Sequence, residues 1–99
     1  MEMFNPPHPG EILLEEYIKP LNFTVSAFAL NLGTSRKNLS EIVNEKVGIS
    51  PEMALKLAKV LGTSPEIWLR LQLKYDLWQA KQKVNLDNLQ VISAKRIIA

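Results

Sequence analysis

The sequence predicts an all-α fold of five helices, and three observations carry that expectation. Apolar residues recur at helical spacing in one cluster after another, while no segment before residue 84 alternates as a strand does. The phrase Gly-x-Ser-Pro-Glu occurs twice, at 48–52 and at 62–66. In each copy serine suits an N-cap, proline the first helical position and glutamate the first turn, so each copy announces a helix. Thr24 and Ser35 each precede a further short apolar-periodic stretch, and Gly33 stops the first of these.

Taken in order, residues 1–8 (MEMFNPPH) hold two adjacent prolines and read as an extended lead-in. Pro9 fits the first turn of helix one, where its missing N–H costs nothing. Ile12, Leu13, Tyr17 and Ile18 give that helix one apolar face, with Glu11, Glu15 and Glu16 opposite. Its end is expected near Lys19 and Pro20, because proline disfavours helical geometry in its predecessor. Helix two runs from the Thr24 cap to Leu32. Helix three runs from the Ser35 cap to about Asn44 and buries Leu39, Ile42 and Val43. The two Ser-Pro-Glu phrases open helix four, Pro51 to Leu61, and helix five, Pro65 to about Ala80. The tail, 83–99, fits either a short helix or an extended arm. Leu86, Leu89, Val91 and Ile92 are its apolar positions, and Arg96, Ile97 and Ile98 are apolar enough to pack against something. The expected organisation is therefore a lead-in at 1–8, one domain over 9–82 and a tail at 83–99.

Composition narrows the function. Ninety-nine residues, 46% of them apolar, suffice for one small core. The absence of cysteine removes disulfides, thiolate zinc sites and thiol catalysis. His8 is the sole histidine and has no second ligand-type residue beside it, so a structural role is expected. Glu11, Glu15 and Glu16 have the spacing of a solvated helix face rather than of an acid–base pair. With no glycine-rich phosphate loop and no nucleophile paired to a base, no enzyme, no cofactor and no metal site is expected. No apolar run approaches the roughly 20 residues that span a bilayer, and no secretory leader is visible, so a cytoplasmic protein without membrane contact is expected. The net charge of +2 is unevenly spread: residues 1–34 carry −3 and residues 35–99 carry +5. The basic surplus begins where helix three begins, which suits a polyanionic partner.

Helices two and three have the spacing of a helix-turn-helix over 25–44. Ala29 lets the second helix approach closely, and Gly33 permits the positive φ of a tight turn. Val25, Phe28, Leu32, Leu39 and Ile42 close the wedge between them. The alternative is an ordinary α-hairpin in a bundle, and the exposed side of helix three argues against it. A recognition helix enters the major groove N-terminus first, so Ser35, Arg36 and Lys37, with Ser40 one turn on, are the expected base-reading residues. Arg36 is foremost, because its planar fork can donate twice to guanine. Thr24, Ser26, Asn44 and Lys46 are expected at phosphates. Glu41 is expected to pair with Lys37 at i+4 spacing.

Helix five carries two apolar stripes. Ile67, Leu71, Tyr75 and Trp78 form one, and Leu69, Leu73 and Leu77 form another about 200° away. A helix with two such faces must bury both. The second face could cover the tail, but a homodimer contact through Leu69, Leu73, Leu77 and Trp78 suits a protein that reads two half-sites. Trp68 and Trp78 are large enough to dominate such a contact.

Several stretches, taken together, resemble one family. They are Asn5–Leu13 (NPPHPGEIL), Leu32–Arg36 (LGTSR), Leu39–Asn44 (LSEIVN), Gly48–Leu55 (GISPEMAL), Leu57 with Ala58, Leu61–Glu66 (LGTSPE), Trp68 with Leu69, and Tyr75–Trp78 (YDLW). The chain is similar in them to the HigA-type antitoxins, also called virulence-associated protein I, of the Xre/Cro helix-turn-helix group. That resemblance spans about residues 4–80. It implies a five-helix lambda-repressor-like domain and a bacterial homodimer that binds double-stranded operator DNA and represses its own operon. It also implies a HigB-type RNase toxin as the partner to be neutralised. The alternatives are a stand-alone Xre-type regulator and a toxin-binding module with weak DNA affinity. The second is raised by one departure: the family usually continues Asn-Gly-Lys and then a basic residue, where this chain has Asn44-Glu45-Lys46-Val47. The lost glycine raises the cost of a left-handed helix end, unless Asn44 takes that conformation itself.

Overall fold

Residues 5–92 are described by the computed structural model of the chain. Met1–Phe4 of the lead-in, and the expectation for Arg96, Ile97 and Ile98, lie outside them. Five helices follow one another, with no strand among the described residues. Helix α1 starts as an α-helix, Pro9–Leu13, and continues as a π-helical turn, Leu14–Ile18. Then come α2 (Val25–Leu32), α3 (Arg36–Val43), α4 (Pro51–Leu61) and α5 (Pro65–Lys83).

Each helix starts on a side-chain cap. Thr24, Ser35, Ser50 and Ser64 accept hydrogen bonds from the N–H groups of Ala27, Asn38, Met53 and Ile67 at 3.0–3.3 Å. Proline stands in the first turn of α1, α4 and α5. The cap of α1 is His8, whose Nδ1 accepts from the Gly10 N–H at 2.8 Å. The π-turn answers a spacing problem. Leu13 and Ile18 are five residues apart and both are buried. An i→i+5 bonding step, seen in Lys19 N–H to Leu14 C=O at 3.0 Å, brings residues five apart towards one face.

Leu13, Ile18, Phe28, Ala29, Leu32, Leu39, Ile42, Ile49, Leu57 and Trp68 are buried in a single core, against which Tyr17, Val25, Leu69 and Leu71 pack from its edge. Gly10 sets the distance between α1 and α3, since a Cβ there would strike the Ile42 carbonyl oxygen. The extents, 52 × 25 × 24 Å, reflect α5. Its 19 residues span about 28 Å, and its last turns continue into residues 84–92, which are exposed throughout. Of the two forms open to the tail, this stretch is the arm: it has one turn, with Asp87 N–H bonded to Asn85 Oδ1 at 2.9 Å, and no helix.

The exit of α3 decides which residue takes the left-handed position. Both α2 and α3 end in the same double-bonded turn. In α2 the Thr34 and Gly33 N–H groups reach the Ala29 and Leu30 carbonyls, and Gly33 has φ 68°. In α3 the Lys46 and Glu45 N–H groups reach the Glu41 and Ile42 carbonyls. Glu45, at φ 64°, therefore takes the place of Gly33, while Asn44 stays at φ −93°. The motif puts the left-handed residue one place past the cap, so Asn44 cannot relieve the strain. A side chain in this conformation costs about 1–2 kcal/mol, against which glycine's greater chain entropy sets about 0.5–1. Glu45→Gly is expected to stabilise the fold by about 0.5–1 kcal/mol, read as a higher Tm in thermal unfolding.

Candidate nucleic-acid interface

The core-facing side of α3 is spent on Leu39, Ile42 and Val43, which leaves its N-terminal end and opposite face to solvent. Ser35 and Arg36 are exposed at that end. The Ser35 hydroxyl accepts the capping bond and keeps its own hydrogen to donate. Arg36 has no acidic partner among the described residues, and no acidic residue lies in the first turn of α3. Its five-donor fork is thus open to an external acceptor.

Lys37, Ser40, Glu41 and Asn44 share the outward face at helical spacing. Lys37 donates to Glu41 at 3.0 Å, the pairing the sequence predicts. Asn44 Nδ2 reaches the Ser40 hydroxyl at 3.2 Å, so this half-buried serine and its exposed neighbour act as a unit. Thr24 caps α2 and Ser26 is exposed in its first turn. Lys46, just past α3, is exposed and without a salt bridge among the described residues. The candidate base-reading residues thus lie on one helix. The candidate phosphate contacts lie at the start of α2 and the exit of α3.

The residues intended for a second protomer are placed differently from one another. Leu73 and Leu77 are 57% and 51% exposed. Leu69 packs against the core edge, and Trp78 is half-buried beside the N-terminal segment. Trp68 belongs to the core: it is 1% exposed, and its indole N–H donates to Thr63 Oγ1 at 2.9 Å. It offers nothing to an outside contact.

Two supporting residues escaped the sequence reading. Asn38 Nδ2 donates to Thr34 Oγ1 at 2.9 Å and ties the turn to α3. Gln72 of α5 accepts the Ile49 N–H at 2.7 Å through Oε1 and donates to Asp76 at 3.0 Å through Nε2. It thereby holds the loop that follows α3. Gly48 makes room for it, since a Cβ there would lie 2.8 Å from the Gln72 amide. Neither contact has a local signature in the sequence.

His8 has the structural role expected of it. It is 3% exposed and meets Tyr75 edge-on at 4.7 Å. Burial lowers its pKa below the ordinary 6.5, and the negative charges of Glu45, Asp76 and Glu11 oppose that shift only in part. The capping bond also needs Nδ1 unprotonated. Between the folded pKa and 6.5 the unfolded chain binds a proton that the folded chain refuses. This contribution is therefore complete above pH 6.5 and is lost as pH falls below it. Unfolding temperature is expected to drop from pH 7 to pH 5.5 in the native chain. In His8→Asn, which retains a capping acceptor but does not titrate there, the drop should shrink.

Among the described residues, no helix is long and apolar enough to cross a membrane. The helix-turn-helix family profile matches residues 14–68, a span that includes all of α2, α3 and α4. Virulence-associated protein I of Dichelobacter nodosus is 43% identical over 82 residues, covering 83% of this chain and 76% of that protein. Antitoxin HigA-1 of Vibrio cholerae is 38% identical over 74 residues, covering 75% and 70%. A solved structure of antitoxin GraA in complex with its operator superposes with a TM-score of 0.85 at 38% identity, over 94% of this chain and 97% of that one.

Proposed function

Because the chain belongs to the helix-turn-helix family, within the HigA-type antitoxins, we propose that it is a dimeric, operator-binding antitoxin that represses its own operon. The observation that carries this reading is the open N-terminal end of α3, where Arg36 stands exposed with no acidic partner among the described residues. In this account α3 enters the major groove with Ser35, Arg36, Lys37 and Ser40 over base edges. Thr24, Ser26, Asn44 and Lys46 hold phosphates and fix the register. A second copy docks through the uncovered Leu73 and Leu77 face of α5, with Leu69 and Trp78 at its margins, which presents two recognition helices to two half-sites. The protein works in the cytoplasm, carries out no catalysis and neutralises a HigB-type toxin.

Titration against the protein's own promoter tests the DNA half of this reading. Neutralising about six phosphates gives a log–log salt slope near −5. Indifference between promoter and unrelated DNA at low salt contradicts it. One observation favours a second reading, a toxin-binding module with weak DNA affinity: the acidic, strained Glu45 stands between the two candidate phosphate contacts Asn44 and Lys46. The same titration separates the two. Co-purification with the product of the adjacent reading frame separates both from a stand-alone regulator.

A further inference from the structure

A cleft of about 350 Å³ lies where the N-terminal segment, the exit of α3 and α5 meet. Pro7, Tyr75 and Trp78 wall it, and Glu11 and Glu45 supply two carboxylates. Elsewhere Glu15, Glu41 and Glu52 each have a lysine one turn away along their own helix. Among the described residues Glu11 and Glu45 have no such partner, and neither lysine nor arginine lines the cleft. Asp76 adds a third negative charge close enough to act on His8. A polyanion is repelled from such a place, so the DNA is not its occupant.

His8 gives an independent indication of a ligand. It is 97% buried and borders the same cleft. Its Nδ1 is taken up by the Gly10 N–H, so its hydrogen is on Nε2. That N–H has no acceptor among the described residues. It is also not sealed in, because no fully enclosed side-chain nitrogen or oxygen there lacks a partner. The donor therefore opens on the cleft.

One cavity thus joins two aromatic faces, two carboxylates and one N–H, none of these polar groups having a side-chain partner among the described residues. An arginine residue uses all of them. Its guanidinium stacks on the rings and donates to the carboxylates, and its peptide carbonyl accepts from His8. The geometry points to this cleft as the receptor for an arginine side chain presented by a basic protein partner. This assignment rests on the antitoxin reading and identifies the face that holds the toxin.

His8 is the sole histidine, so its imidazole C–H signals in proton NMR belong to one residue. The full chain is titrated with N-acetyl-arginine amide and, separately, with the neutral N-acetyl-citrulline amide. The arginine probe is expected to move the His8 signals saturably, and the citrulline probe is not. The double variant Glu11→Gln, Glu45→Gln, confirmed folded by its thermal transition, should bind the arginine probe about tenfold more weakly. No saturable shift, an equal response to citrulline or an unchanged double variant overturns the assignment. A second arm co-expresses the chain with the small basic protein encoded beside it. Capture by the native chain but not by the double variant supports the assignment. Equal capture by both overturns the cleft while leaving the antitoxin reading in place. No capture by the native chain overturns the reading itself.

Discussion

Replacing Gly10 with alanine is expected to destabilise the protein by about 3 kcal/mol, the upper end of overpacking in a rigid core. The sign is the informative part. Alanine is the better helix former by about 1 kcal/mol, so at an ordinary helical glycine this change stabilises. At Gly10 the added Cβ meets the Ile42 carbonyl oxygen, a backbone atom inside α3 that cannot rotate aside. Either α1 moves away from α3 or the last turn of α3 distorts, and both outcomes loosen the core around Leu13 and Leu39. Urea unfolding of the two proteins reads the difference. A neutral or stabilised Gly10→Ala would mean that α1 and α3 do not approach as closely as described.

The second large effect belongs to Trp68. Trp68→Ala should cost about 3–5 kcal/mol and lower the midpoint of thermal unfolding by roughly 15 °C or more. The ring is fully buried, lies 5.6 Å from Tyr17 and anchors the loop before α5 through Thr63. Against the 5–15 kcal/mol typical of a whole domain, such a loss leaves little margin. Trp68→Phe separates packing from hydrogen bonding. It retains most of the buried ring, leaves a half-exposed Thr63 free to meet water, and should cost only about 1–2 kcal/mol. Similar losses in the two variants would place the energy in the hydrogen bond instead.

The parts of the fold legible in the sequence are those set by neighbours along the chain. Capping Thr24, Ser35, Ser50 and Ser64, the glycine turn at Gly33 and the Lys37–Glu41 pair each depend on residues within one turn. The apolar faces of α2 and α3 follow from spacing alone. What was not legible depends on distant partners. The periodicity of α5 shows two apolar faces but not that Trp68, between them, points into the core. Gly10 owes its role to a carbonyl 32 residues away along the chain, and Gln72 owes its role to Ile49. Two features had a local signal that was read incompletely. The five-residue interval from Leu13 to Ile18 does not suit one face of a regular helix and marks the π-turn. The missing glycine after Asn44 marks a costly helix end, and the hydrogen-bond pattern there assigns the strain to Glu45. The helix end that presents Ser35 and Arg36 is of the first kind, because its cap is local.

Arg36 tests the central claim most directly. The measurement is fluorescence anisotropy of the native chain and Arg36→Ala on the protein's own promoter and a set of its single-base variants. The account predicts that the native chain prefers the promoter and that Arg36→Ala binds it roughly 5- to 150-fold more weakly, with preference relaxed at one base in each half-site. Equal binding of promoter and unrelated DNA by the native chain, with affinity untouched by Arg36→Ala, would contradict it.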